Sequence, residues 1–183
     1  MAGKLKSIAV YCGHQFGNNP QFEQDAGAVG EMLAKNGIRM VFGGGNVGLM
    51  GAVANGALEN GGVVKGVSTD DVIALQEPAH SGVDVQVVNG VNERKQIMFE
   101  MSDAFIILPG GIGTLNEMSD IMTMQQIGET KKPLFFLNTG NFWAPLSELI
   151  RHMIDNGFIG NMEEYHMYSA DTVEQLTKQI LKY

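Results

Sequence analysis

Five apolar residues, 104–108, run without interruption into Pro109-Gly110-Gly111-Ile112-Gly113-Thr114. A short apolar run bounded by glycine reads as a strand buried on both faces, the kind found in parallel sheets covered by helices. The turn after it opens a helix, and that geometry suits an anion. Gly110, Gly111 and Gly113 let backbone approach closely, while free N–H groups and the positive end of the helix dipole attract negative charge. Thr114 reads either as the helix cap or as a hydroxyl donor to the anion. Glu117 has two readings as well. It completes a capping box with Thr114, or it is a carboxylate held one helical turn from a bound phosphate and within reach of the attached sugar.

The rest of the chain repeats the same alternation. Residues 5–12, 38–42, 63–67, 83–88, 133–137 and 167–169 read as strands; residues 22–36, 52–60, 70–76, 91–100, 115–128, 142–156 and 171–181 read as helices or helix ends. Phe22, Ala26, Val29, Met32 and Leu33 form a helical stripe that Asn36-Gly37 ends. Strand and helix in regular turn predict one doubly wound, Rossmann-like α/β domain over residues 1–183, with a central parallel sheet flanked by helices. Ligands of such sheets bind at the carboxyl ends of the strands. Three stretches are expected there: the polar loop 13–20, the run Gly43-Gly44-Gly45-Asn46-Val47-Gly48, and the central turn. The second stretch can be forced into a dinucleotide fingerprint, but that fingerprint belongs to the first strand–helix turn. Its glycines serve tight turning or face a ligand, and three in a row favour the ligand.

Composition narrows the function. A net charge of −8 over 183 residues, with no dense basic stripe, argues against a nucleic-acid groove. A few local donors still suffice for a small anion. No apolar run approaches a membrane span, and residues 1–13 lack a signal-peptide core, so a soluble, cytoplasmic protein is expected. The one cysteine, Cys12, closes a strand and reads as packing rather than as a nucleophile. Twelve methionines suit core and subunit contacts, and no His/Cys cluster has metal-ligand spacing. His80 reads as an exposed loop residue. Arg94 and Lys95 lie either on a solvated helix face or, if their helix starts at the same sheet edge, against the anion.

The segments PGGIGTLNE (109–117), FGGGNVGLMG (42–51), Glu93-Arg94-Lys95, YCG (11–13) and GNNP (17–20) together resemble the Lonely guy family of nucleoside 5′-monophosphate phosphoribohydrolases, often mislabelled lysine decarboxylases. The resemblance runs over nearly the whole chain. It implies a homodimer without metal or redox cofactor that hydrolyses the N-glycosidic bond of AMP or an N6-substituted adenosine monophosphate. The family's catalytic arginine and glutamate fall on Arg94 and Glu117. Its substrate contacts fall on Glu77, Lys95 and the segment Gly110, Gly111, Ile112, Gly113, Thr114; the first glycine turn adds Gly44 and Gly45. The chain departs from the family's usual pattern at His14, Val67-Ser68-Thr69, Val91-Asn92 and Asn116. A non-catalytic nucleotide or molybdenum-cofactor carrier of the same fold is the alternative. A decarboxylase would hold pyridoxal phosphate on a lysine, and Lys65, Lys95, Lys131 and Lys132 sit in no such context. Met118, Ile121, Met122 and Gln125 form a stripe that is either core or the two-fold contact.

Overall fold

A computed structural model describes residues 5–74, 82–160 and 165–183. Their strands are β1 (Ser7–Tyr11), β2 (Arg39–Phe42), β3 (Val64–Thr69), β4 (Asp84–Val88), β5 (Ala104–Ile107), β6 (Leu134–Leu137) and β7 (Met167–Ala170). The helices are α1 (Pro20–Lys35), α2 (Gly48–Glu59), α3 (Asp70–Ala74), α4 (Val91–Glu100), α5 (Ile112–Gln126), α6 (Ala144–Asp155) and α7 (Val173–Lys182). The seven strands form one sheet in the order β4-β3-β2-β1-β5-β6-β7, and every pairing is parallel.

The central strands β1, β5 and β6 are buried along their whole length, because both sides of the sheet are covered there. Ile8, Val10, Ala104 and Ile106 pack with α1, α2 and α7 through Val29, Leu33, Val53, Leu176 and Ile180. Their neighbours in sequence, Ala9, Tyr11, Phe105 and Ile107, point the other way, to Met98 of α4 and Met118 and Ile121 of α5. This is the two-residue alternation of a strand read on both faces of one sheet.

Two helices lie unusually close. A Cβ placed on Gly30 of α1 would sit 2.0 Å from the Val53 carbonyl oxygen of α2, and one on Gly56 would sit 2.1 Å from that of Gly27. Small residues are therefore required at this crossing, and Gly30 and Gly56 supply them.

Strand order reverses between β1 and β5. The helix after β1 covers one face and the helix after β5 covers the other, so a crevice opens at the carboxyl ends of these two strands. The connection from β4 to β5 crosses β3, β2 and β1, which carries α4 back over the sheet toward that crevice.

Observed boundaries differ from the expected ones at a few ends. α5 begins at Ile112 rather than 115. α6 begins at Ala144, because a short 3-10 turn, Thr139–Asn141, precedes it and the Asn138 side chain accepts the Trp143 N–H. β3 continues through Ser68 and Thr69, both buried.

Candidate active site

Three backbone bonds draw the glycine turns together. The Gly13 N–H donates to the Pro109 carbonyl (3.0 Å), its own carbonyl accepts the Leu49 N–H of α2 (3.1 Å), and the Leu108 N–H donates to Tyr11 (3.0 Å). The first loop, the central turn and the start of α2 therefore meet at one point. An aromatic-sided hollow of about 250 Å³, lined by His14, Phe16, Phe22, Gly110 and Gly111, opens there. α5 starts from Gly111 with no side chain capping its first N–H groups. Those donors remain available to a ligand, as an anion site requires.

The capping-box reading is thereby corrected. Gly111, not Thr114, is the cap residue; Thr114 is buried in the first turn, and a Cβ on Gly110 would lie 2.1 Å from its Oγ1. Glu117 falls six residues past the cap, too far to reach the cap's N–H. It meets Arg94 instead. The Arg94 guanidinium donates from Nη1 to Glu117 Oε1 at 3.0 Å and from Nε to the Val67 carbonyl at 2.9 Å. Both side chains are largely buried, at 11% and 12% exposure.

Burial pushes the Glu117 carboxyl above the usual carboxylate range, against the downward pull of Arg94 and Lys95. Lys95 points beside it, donating to Asn116 Oδ1 (2.9 Å) and pairing with Asp120 (2.6 Å). Tyr11 faces the same carboxylate from β1, its ring stacked on Phe105, and its hydroxyl is pushed up by burial and then by the Glu117 charge. Glu117, Lys95, Tyr11, Asn92, Gln96 and Asp120 line a cleft of about 380 Å³. Cys12 is buried and its thiol is pushed up chiefly by that burial, which fits packing.

Over residues 50–180 the chain matches the family model described as "possible lysine decarboxylase". It is 41% identical over 155 residues (84% of this chain and 78% of the relative) to a cytokinin riboside 5′-monophosphate phosphoribohydrolase of Rhodococcoides fascians. The chain belongs to the Lonely guy family. A second member, cytokinin riboside 5′-monophosphate phosphoribohydrolase LOG of Oryza sativa subsp. japonica, is 34% identical over 180 residues, covering 98% of this chain and 74% of that one. Among solved structures, the molybdenum cofactor carrier protein of Chlamydomonas reinhardtii superposes with a TM-score of 0.73 at 22% identity, over 99% of this chain and all of that one. The molybdenum cofactor binding protein of Rippkaea orientalis gives 0.72 at 24% identity, over 98% and 97%. These two likenesses concern the fold.

Against the Lonely guy motifs, the structure brings Arg94, Lys95 and Glu117 together and sets Gly110, Gly111, Ile112, Gly113 and Thr114 at the head of the same helix. Gly44 stands next to Ser68 at the end of β2 with φ +83°, and Gly45 follows it in the same buried turn. Glu77 and His80 lie outside the described residues. Asp120 and Tyr11 are among the lining residues not singled out from sequence. Asp120 lies three positions after Glu117 and four after Asn116, the spacing of one helix face. Tyr11 shares the strand parity of Ala9, which faces α5. Asn116, where the family pattern has a glutamate, accepts from Lys95. The departure at 67–69 keeps what matters to Arg94, because Val67 is used through its carbonyl. The helical stripe splits: Met118, Ile121 and Gln125 are buried within the chain itself, so the core reading holds for them.

Proposed function

We propose that this chain hydrolyses the N-glycosidic bond of an adenosine-type nucleoside 5′-monophosphate, AMP or an N6-substituted relative, to free base and ribose 5-phosphate. The observation that carries the reading is the buried Arg94–Glu117 pair, which joins α4 to α5, the helix whose uncapped start would cradle a phosphate. The distances suit the substrate. Six residues of helix span about 9 Å, and side chains tilt back toward the helix start. A phosphate on the N–H groups of residues 112–114 thus leaves the ribose near the Glu117 carboxylate.

In this mechanism the C1′–N bond breaks, its electron pair leaves with the base, and positive charge develops on the ribose. The Glu117 carboxylate faces that charge and takes a proton from the water that attacks C1′; a carboxyl raised by burial is better matched to this at neutral pH. The base collects a proton as it leaves. Arg94 keeps Glu117 in place through Nη1, and Lys95 and Gly110–Gly113 hold substrate. The activity named for the relatives supports the same reaction. The carrier alternative has the fold likeness alone in its favour, and a carrier has no need of a raised carboxylate paired in the cleft. A decarboxylase reading lacks its lysine: Lys65 pairs with Asp84, Lys95 with Asp120, and Lys132 donates to the Phe99 carbonyl. The test is incubation of purified protein with AMP and with N6-isopentenyl-adenosine monophosphate. Equal amounts of base and ribose 5-phosphate are expected; a ligand retained through purification with no base released from any monophosphate would overturn the reading.

The protein is further proposed to act in the cytoplasm, as one nucleotide-binding domain in each protomer of a homodimer. No described helix is long and apolar enough to cross a membrane. The two-fold contact is placed on the α5–α6 face, where Ile112 and Phe158 are 82% and 81% exposed and line, with Met122, Leu149 and Met153, an apolar groove of about 570 Å³. A second copy covering this face would bury several large apolar side chains per protomer, each worth about 1.5–3 kcal/mol. Since Ile112 belongs to the phosphate turn, the partner borders the site. Leu149→Glu should sediment as an inactive monomer; a wild-type monomer, or a fully active one, contradicts this arrangement.

A further inference from the structure

We infer that Gly43 is a positioning residue for Arg94: its missing side chain is the space that one end of the guanidinium occupies. This rests on the reading of Arg94 and Glu117 as the catalytic pair. A Cβ placed on Gly43 would lie 2.3 Å from Arg94 Nη2 and 3.5 Å from its Cζ. Nη2 is the one guanidinium nitrogen not committed to Val67 or Glu117 in the bonds described above. The guanidinium is therefore held on three sides: the β3 carbonyl on Nε, the α5 carboxylate on Nη1, and the bare Cα of Gly43 beside Nη2. A planar, five-donor group fixed in this way presents one orientation, which a lysine in its place would not.

Conformation does not explain this glycine. Among the positive-φ glycines are its neighbour Gly44, at +83°, and Gly48, at +57°, whereas Gly43 is not one of them. Nor does close backbone approach explain it. A Cβ on Gly48 would strike the His14 backbone at 2.3 Å, but on Gly43 the nearest atoms are Arg94 Nη2 and, at 3.3 Å, Met50 Sδ, both on flexible side chains. An alanine at 43 thus leaves the fold intact and displaces the arginine. Within one glycine run, Gly44 serves the turn and Gly43 serves the site.

The experiment compares wild type, Gly43→Ala, Arg94→Lys and the double variant. Gly43→Ala should melt within about 3 °C of wild type and lose about 100-fold in kcat/KM, the scale of a misplacement near 1 Å. Because the loss acts through Arg94, Gly43→Ala should add little to Arg94→Lys, so the double variant should match Arg94→Lys within about threefold, whereas independent losses would multiply. A readout free of turnover accompanies it: the Arg94 Nε–H signal in a nitrogen–proton spectrum, assigned by its loss in Arg94→Lys and slowed in exchange by the Val67 carbonyl. It should shift and exchange faster in Gly43→Ala. Multiplying losses, or an unmoved Nε–H signal, would overturn the inference. If wild type releases no base at all, the proposed reaction fails instead, and the Nε–H signal alone decides on Gly43.

Discussion

Replacing Glu117 by glutamine separates the chemistry of this carboxylate from its structural contribution. The two side chains have the same shape, and Oε1 can still accept the Arg94 Nη1–H that it now accepts at 3.0 Å. What is lost is the negative charge and the ability to take a proton. A full charge about 4 Å from the positive charge developing on the ribose contributes about 4 kcal/mol at the effective dielectric of a cleft edge. Each factor of ten in rate corresponds to about 1.4 kcal/mol, so the electrostatic loss alone is about 1000-fold. Arg94 neutralises part of that charge in the ground state and lowers the figure. Loss of the base function, about 100- to 10,000-fold on its own scale, raises it again. The expected drop in kcat is therefore about three orders of magnitude, with a smaller change in KM because the phosphate contacts at the head of α5 remain. Chromatography of free base from AMP, with a melting curve of the same sample, measures both parts. More than a tenth of wild-type turnover in a folded Glu117→Gln protein would refute the assignment of Glu117 to the chemistry.

Three further outcomes follow from the same geometry. Arg94→Met strips a buried carboxylate of its partner and should cost about 3 kcal/mol in urea unfolding at neutral pH, and less as the pH falls toward the ordinary carboxylate range, since burial favours the protonated Glu117. The pH dependence of wild-type stability has a definite sign: burial raises the folded Glu117 above its unfolded value, so the folded state holds the extra proton between the two. That contribution is present below the ordinary carboxylate range and is lost as pH rises toward the raised value; the urea midpoint of Glu117→Gln, followed from pH 4 to 8, should lack this decline, and parallel curves would count against it. Gly56→Ala drives a Cβ to 2.1 Å from the Gly27 carbonyl oxygen, so α1 and α2 must separate at a cost of about 3 kcal/mol; a midpoint equal to wild type would show that the helices yield freely.

Much of the fold was legible because parallel strands buried on both faces appear as continuous apolar runs, and 104–108 and 133–137 are such runs. The start of α5 was not. Ile112 and Gly113 look like loop, glycine being a poor helix former and an exposed isoleucine offering no core signal, yet the helix begins there with its first donors left open. The local capping rule put Thr114 at the boundary and moved Glu117 to the wrong turn. The residue types of the site were visible, but not which of two adjacent cations would enter it. Arg94 and Lys95 diverge by about 100° around their helix, and Arg94 turns inward because the β4–β5 crossover lays α4 over β3, where the Val67 carbonyl, 27 residues back, accepts its Nε–H. No local pattern encodes that register. The same holds for Gly43-Gly44-Gly45: in sequence, three glycines are one signal for a turn. In space only Gly44 carries a positive φ there that a side chain would resist, while Gly43 is needed small by a residue 51 positions further along the chain. A glycine whose requirement comes from a distant side chain is indistinguishable, in one sequence, from a glycine whose requirement comes from its own backbone.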